Sequence, residues 1–321
     1  MLWGAAVLAF LVSLAVVRLV LTRFARLALD QPNERSLHDR PVPRTGGIAV
    51  MAGAASAGLW VSPQLWLPLL LALGLGAVSL LDDVRGISRR LRLALHVGAA
   101  GFVCWYVLSP TNPLELTLLV IAVVWVTNLY NFMDGSDGLA GGMALVGFSA
   151  YAIGAWTAGH VALALLCSAI GAGAAAFLLH NFYPARIFLG DVGSIPLGFL
   201  AATLGILGWR NDAWPLWFPL LVFAPFNADA TVTLLKRALR GERVWHAHRE
   251  HYYQRIVRMG FGHRATALIG YALMLMCALA ALLGREQTPE LQAVAFGVAA
   301  AVLAAMAVWV DWRWLRFASV R

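Results

Sequence analysis

Charged residues make up only 12% of this 321-residue chain, about half the share of an average soluble domain, where roughly 25% are charged. That scarcity excludes an ordinary water-soluble globule, and the 61% hydrophobic content excludes a disordered chain. Cysteine is scarce too: Cys104, Cys167 and Cys277 each lie inside an apolar run. Their odd number and wide spacing leave neither a disulfide framework nor a CxxC metal knuckle. Glycine and proline follow no three-residue period, which excludes collagen-like structure. No internal repeat of the inverted-transporter kind is visible. The first apolar run lacks a basic leader and a small-residue cleavage site, so it is expected to be a retained span and not a signal peptide.

What the chain has in quantity is apolar runs. A membrane-crossing helix needs about 20 apolar residues, and eleven stretches are candidates: 3–22, 46–61, 64–81, 91–109, 114–130, 138–157, 161–180, 192–208, 214–232, 265–284 and 290–312. The expected fold is an all-α polytopic membrane protein with 10–11 transmembrane helices, one domain over residues 1–321, with the lipid bilayer as solvent. Pro225 is expected to kink the ninth span. The net charge of +8 comes almost wholly from arginine, and the placement of the arginines argues against a nucleic-acid partner. Segments 23–45, 82–90, 131–137, 181–191, 233–264 and 313–321, with Arg92, hold 21 of the 24 Lys and Arg residues. The alternate segments hold Arg210 and Arg285, while Arg18 sits inside the first run. By the positive-inside rule the basic segments are cytoplasmic and the N-terminus lies outside.

Five of the sixteen acids form tight local groups, and all five fall at cytoplasmic span ends: Asp82 and Asp83 in LLDDVRG, Asp134 and Asp137 in NLYNFMDGSDGLAGG, and Asp191 in FLGDVGS. Glycine beside an acid lets backbone approach a ligand and frees amide groups for phosphate oxygens. Carboxylates gathered at one interface repel each other and call for a cation, and magnesium suits oxygen ligands and substrate phosphates. Each group also has a structural reading: Asp82 and Asp83 as a solvated helix end with Arg85, Arg89, Arg90 and Arg92, and Asp191 as a helix cap. DGSDG resembles the start of a calcium loop, but Leu145 stands where that loop needs a bidentate Glu. Asn128, Asn131, Asp134 and Asp137 recur every three residues. The first pair can share a helical face, and Gly135 with Gly138 should break the helix and turn the acids inward. A polar helix cap is the alternative.

The longest hydrophilic stretch, 233–264, has eight basic residues and His246, His248, His251 and His263. His248 and His251, three apart, are close enough to share one helix face. The spacing matches no common zinc pattern, which leaves a phosphate-contacting cluster or a surface loop held by anionic lipid.

Together, LDDVRG, Asn128 to Leu139 as NxxNxxDGxDGL, Asn181 to Ser194 as NFYPARIFLGDVGS, and the AHREH loop resemble the polyprenyl-phosphate N-acetylhexosamine-1-phosphate transferases, the membrane family that includes the MraY and WecA enzymes. PVPRTGG, containing Arg44, resembles that family's first cytoplasmic loop. The resemblance implies transfer of a sugar phosphate from a UDP-N-acetylhexosamine to undecaprenyl phosphate with release of UMP, in a bacterial cytoplasmic (inner) membrane. It also implies a magnesium cofactor, with manganese as a substitute. Asp82 and Asp83 match the acids that handle the acceptor phosphate, one as its base, and Asp191, with Asp83, matches the metal position. Asn128, Asn131, Asp134 and Asp137 match the nucleotide and diphosphate region. Asn181 and Phe188 match uridine contacts, Phe188 by stacking on the base. His248 and His251, with Arg249 between them, match the sugar-phosphate region, and Asp229 matches a further family acid. Asp134, Asp137, His248 and His251 join the acid pair as catalytic candidates, and Arg44 and Arg249 are substrate-binding candidates.

Peptidoglycan-type members carry consecutive histidines ending in an acid; here Ala247 and Arg249 break the run, as in the WecA-like branch that starts O-antigen or other surface polysaccharides. The rival readings are a phospho-N-acetylmuramoyl-pentapeptide transferase, an ion-coupled transporter and an inactive scaffold. A transporter should carry ionisable groups near mid-membrane, where this chain has almost none. Ala/Gly faces in spans six and seven are compatible with close helix packing, including a homodimer.

Overall fold

Helix starts in this protein are set by caps and turns at the ends of apolar runs. The structure is a computed structural model that describes residues 2–24, 28–30, 37, 41–56, 58, 63–246 and 248–319. Helix α1 (Leu2–Arg23) precedes a short ribbon in which β1 (Leu29–Asp30) pairs antiparallel with β2 (Val42–Pro43). Then come α2 (Gly46–Ser56), α3 (Pro63–Arg85), α4 (Arg89–Tyr106), α5 (Pro113–Phe132), α6 (Leu139–Thr157), α7 (Val161–Asn181) and α8 (Asp191–Arg210). The chain continues through α9 (Trp217–Val222), α10 (Ala224–Leu239), α11 (Tyr252–Ile256), a π-helical turn (Val257–Phe261), α12 (Gly262–Gly284) and α13 (Pro289–Ala318). Ser88 caps α4 by accepting the Leu91 N–H (3.3 Å), and Asn112 caps α5 by accepting that of Glu115 (2.9 Å), with Pro113 behind it in the first turn.

All eleven apolar stretches carry helix, and the described residues are overwhelmingly helical, as an all-α multi-pass membrane protein requires. Eight helical segments are long and apolar enough to cross a membrane by themselves, with α11 through α12 counted as one. The other three explain the difference from eleven. Helix α2 has only 11 residues, and α4 opens on Arg89, Arg90 and Arg92. The ninth stretch is divided at Phe223 into α9 and α10. Pro225 sits in the first turn of α10, where its missing N–H is harmless. The chain therefore breaks ahead of the proline instead of bending at it. The segment 233–264 is also less of a loop than its composition suggests, since among the described residues α10, α11, the π-turn and the start of α12 leave only 240–246 and 248–251 outside helices.

Helix α8 is apolar all round and 94% of its span is buried, which makes it the central post, whereas only 11% of α13 is buried. Small residues let neighbours close on α8: a Cβ at Gly198 would lie 2.9 Å from Thr127 Cα of α5. The small-residue faces of α6 and α7 pack within the chain, with Gly141 against Phe177 and Gly171 against Ser149. Hairpin connections alternate along α3 to α8. The C-terminal ends of α3, α5 and α7 and the N-terminal ends of α4, α6 and α8 therefore meet at one end of the bundle, where all the acid motifs lie.

Candidate active site

Backbone pairing builds the floor of this end. The Phe188 N–H donates to the Pro43 carbonyl (2.7 Å), and the Gly46 and Gly47 N–H groups donate to Phe188 (2.9 Å) and Leu189 (2.8 Å). Gly190 has φ +71°, and a Cβ there would strike the Arg44 carbonyl oxygen, so only glycine allows this approach. The zipper sets Arg44, Phe188 and Asp191 around one pocket of about 130 Å³, which Asp30, Asp134, Ser136, Asp137, Asn181 and His263 also line.

The acid pair joins through two arginines. Asp82 accepts the Ile87 N–H (2.5 Å) at Oδ1 and Arg92 (2.8 Å) at Oδ2, and the same Arg92 nitrogen reaches Asp191 at 3.1 Å. Asp83 Oδ1 lies 3.0 Å from Arg44, but its other oxygen is buried with no hydrogen-bond partner. A buried carboxylate oxygen without a donor is costly, and here it stands within electrostatic range of Asp191. Burial pushes the Asp134 carboxyl up to about 7, with the negative charge of Asp191 adding and a Gly190 N–H bond opposing. Asp82, Asp83, Asp134 and Asp191, from three different hairpins, thus gather around Arg44 and Arg92.

The DGSDG segment is the loop its glycines foretell: α5 ends at Phe132, and Gly138, at φ +74°, starts α6. Asp137 Oδ2 accepts the Ala185 N–H (2.9 Å), while Oδ1 lies 3.6 Å from His263 Nδ1. His263 also meets Ser136 Oγ at 3.0 Å and stacks on Tyr183, with 8° between the rings. Asn181 is committed to backbone: its Oδ1 accepts the Gly138 N–H (3.1 Å) and its Nδ2 donates to Ile187 (2.9 Å). It positions both pocket loops, with both ends of its amide engaged. Asn128 bonds back to the Val124 carbonyl, and Asn131 keeps a buried Nδ2 without a partner. Neither lines the pocket.

The histidine segment forms an adjoining wall. His248 and His251 come together, ring centroids 4.8 Å apart, but not on a shared helix face, because α11 begins only at Tyr252. Asp229 is the reason. It accepts the N–H groups of Tyr252 (2.9 Å) and Tyr253 (3.0 Å), satisfying the donors that open α11. Asp229 lies inside α10. Arg237 and Arg240 hold Glu250, whose carboxyl stays below its usual range although burial acts the other way. Burial first, then His251 and Arg237, pull the His248 imidazole down to about 4, so it is neutral at pH 7. His251 stacks on Phe132 and Tyr253, and the Tyr253 hydroxyl donates to the Phe132 carbonyl (3.1 Å). Those contacts bind this wall to the DGSDG loop, where a Cβ on Gly135 would collide with that hydroxyl. The Arg249 carbonyl accepts from Arg258 (3.0 Å). Ala247 lies outside the described residues.

Of the sequence candidates, Arg44, Asp134, Asp137, Asn181, Phe188 and Asp191 line the pocket, and Asp82 and Asp83 reach it through arginines. Asp229, His248, Arg249 and His251 stand in the adjoining wall. Asp30, Ser136 and His263 were missed. His263 had a signal in its place among four clustered histidines. Asp30, in a two-residue strand, had none.

The profile of glycosyl transferase family 4 matches residues 65–209, which run from the first turn of α3 to the last turn of α8 and hold the three acid motifs. The chain is 32% identical to the decaprenyl-phosphate N-acetylglucosaminephosphotransferase of Mycolicibacterium smegmatis, across 89% of this chain and 82% of that protein. It is 30% identical to the undecaprenyl-phosphate alpha-N-acetylglucosaminyl 1-phosphate transferase of Yersinia pestis, across 90% and 86%. Against the probable undecaprenyl-phosphate N-acetylglucosaminyl 1-phosphate transferase of Bacillus subtilis the identity is 29%, across 88% and 86%. With its motifs gathered at one end of an all-helical bundle and relatives matched along most of its length, the chain belongs to glycosyl transferase family 4, the polyprenyl-phosphate N-acetylhexosamine-1-phosphate transferases.

Proposed function

We propose that this chain transfers N-acetylhexosamine 1-phosphate from a UDP-sugar to undecaprenyl phosphate, releasing UMP, at the cytoplasmic face of a bacterial inner membrane. The observation that carries the reading is the unpartnered, buried oxygen of Asp83 beside Asp191, at helix ends where a lipid phosphate and a cytosolic nucleotide can meet. The activities named for the three relatives support it, and the broken AHREH run favours a simple N-acetylhexosamine over a muramyl pentapeptide.

An oxygen of the lipid phosphate bonds to the β-phosphorus of the donor. The bond from that phosphorus to the bridging oxygen breaks, and its electron pair leaves on UMP. Positioning and charge neutralisation supply most of the rate in such transfers. Asp83 has a free oxygen to take a proton from the acceptor phosphate, whereas Asp82 is occupied by Ile87 and Arg92 and orients that arginine. Arg44 and Arg92 offer positive charge to the diphosphate, the loop at Gly135 offers backbone close to it, and Phe188 offers a ring to the uracil.

The donor chemistry fits magnesium. Among the described residues no three His, Cys, Asp or Glu side chains converge as a ready metal cage. Asp191 and Asp83 would supply one or two carboxylates, the remaining ligands being phosphate oxygens and water, which is how magnesium is usually held. Bound there, magnesium or manganese would neutralise the charge of the diphosphate.

The test is to incubate membranes containing the protein with undecaprenyl phosphate, magnesium and a panel of UDP-sugars, following UMP with and without EDTA. Magnesium-dependent UMP from one UDP-N-acetylhexosamine is expected and names the donor. No UMP from any donor, in a folded preparation, overturns the reading.

A further inference from the structure

Helix α13 carries an apolar groove and, directly beyond it, a cationic mouth, and neither belongs to the acid pocket. The groove, about 370 Å³, lies between α10, α12 and α13. Its lining on α13 includes Phe296, Ala300, Leu303, Ala307 and Val310, alternating steps of four and three that make one helical stripe, with Ala304 and Met306 beside it. Asp229 is its only charged lining residue. One turn further on, where Val310 gives way to Arg313 and Ile256 to Met259, a second cavity of about 360 Å³ opens. Arg313 and Arg316 line it, with Phe261 and Phe317 and no carboxylate.

The charges at this mouth are arranged unlike those next to them. Arg237, Arg240 and Arg255 are all paired with acids, and Asp311, the carboxylate nearest on α13, is taken up by Lys236, Arg255 and the Tyr252 hydroxyl. Arg313 and Arg316 have no carboxylate partner among the described residues. They lie instead on aromatic faces, Arg316 at 3.8 Å from the Trp312 ring centre and Arg313 at 5.6 Å from Trp309 and 5.8 Å from Phe261. Stacking occupies the planes of the guanidinium groups and leaves their N–H edges to donate, the geometry that suits a phosphate. Tryptophans and arginines at a helix end belong to the membrane interface.

We propose that this groove and its mouth bind one anionic phospholipid of the bilayer, an acyl chain along the α13 stripe and the phosphate on Arg313 and Arg316. A choline or ethanolamine headgroup fits less well: the mouth offers its amine no carboxylate, and the faces of Trp309, Trp312 and Phe261 already hold guanidinium groups. The prenyl phosphate acceptor is not the occupant, because its phosphate must reach Asp83 and Asp191, and neither lines this cavity. The inference rests on the membrane fold and not on the transfer reaction. Asp311, next to Val310 in the chain, ties α13 to α10 and α11, so a lipid held on α13 braces the helix that follows His251.

The test is native mass spectrometry of the detergent-solubilised full chain, titrated with phosphatidylglycerol or phosphatidylcholine of identical acyl chains. One phosphatidylglycerol should be retained in preference to phosphatidylcholine by about tenfold or more. The Arg313→Gln/Arg316→Gln variant should lose that preference, the Arg313→Lys/Arg316→Lys variant should keep most of it, and Ala307→Phe, which fills the groove, should retain neither lipid. Equal retention of the two lipids by the natural chain overturns the proposal. So does undiminished preference in the Gln variant, full retention in Ala307→Phe, or displacement of phosphatidylglycerol by an equimolar polyprenyl phosphate.

Discussion

Both ends of α8 bring a carboxylate to an arginine, and they do so in opposite ways. At the C-terminal end Arg210 meets Glu115, whose oxygens also accept the Thr111 N–H (2.6 Å) and hydroxyl (2.7 Å). Both oxygens of that acid are engaged, and the only atom left over is the Arg210 Nε, a donor and not a charge-bearing oxygen. At the N-terminal end one Arg92 nitrogen is divided between Asp82 and Asp191, and Asp83 has a buried oxygen with nothing to accept. The same residue types make a joint at one end and an excess of negative charge at the other. Folding alone selects for the first arrangement, because each buried unsatisfied oxygen costs about 1–3 kcal/mol. The second has a use in the proposed transfer, where a metal or an acceptor proton can take the open oxygen.

The comparison breaks most sharply at the acids. Asp191→Asn and Asp83→Asn keep side-chain volume but remove charge where a diphosphate has to be neutralised, so each should lower UMP release by at least about a hundredfold while the protein remains folded in membranes. Near-normal turnover by Asp191→Asn removes that residue from the metal role. A smaller loss is expected at Asp229, which holds the start of α11 and does not line the acid pocket. Asp229→Asn retains one acceptor oxygen where two N–H groups need one each, leaving a donor of α11 unsatisfied at about 1–3 kcal/mol. Hydrogen exchange should quicken in residues 248–256, and turnover should fall by about tenfold. Unchanged exchange there would mean that α11 is held from elsewhere.

How far the sequence reveals this arrangement depends on the range of the signal. Apolar runs and their caps are local, so all eleven runs carry helix, and the acids fall at the ends that the arginine distribution marks. Gly138 breaks the helix after Asn131, as its spacing suggests, because positive φ is a property of one residue. Contacts over long separations are invisible: the pairing of Pro43 with Phe188 brings Asp30 to the pocket, and Asp229 decides that α11 starts at Tyr252 and not before His248. His263 reaches Asp137 only because α12 begins beside the DGSDG loop. Neither hydropathy nor motif spacing records such meetings.

The histidine wall offers an intermediate test. His248 moves from an ordinary value of 6.5 to about 4 in the folded chain, through burial first and then His251 and Arg237. Between those values the unfolded chain binds the proton and the folded one does not, so stability from this group is complete above pH 6.5 and lost as pH falls towards 4. Hydrogen exchange of residues 244–256 should therefore accelerate between pH 6.5 and 4, after correction for intrinsic rates, and His248→Asn should flatten that dependence. A profile identical in the variant would assign the acid sensitivity to another group.

The smallest effect is expected at the end where the carboxylate is satisfied. Arg210→Ala removes one partner of Glu115 but leaves the Thr111 N–H and hydroxyl in place, and both members of the ion pair are partly open to solvent. Water can replace the lost guanidinium there, as it cannot at Asp83. The positive-inside distribution also sets Arg210 on the membrane face away from the acids, out of reach of either substrate. Turnover should stay within about twofold of the natural chain, with a small fall in melting temperature. Asp83→Asn measured in the same preparation supplies the contrast, since it removes charge without removing a completed pair. If Arg210→Ala were instead as damaging as Asp83→Asn, the two ends of α8 would not differ in kind, and the assignment of reaction and scaffold to opposite faces would fail.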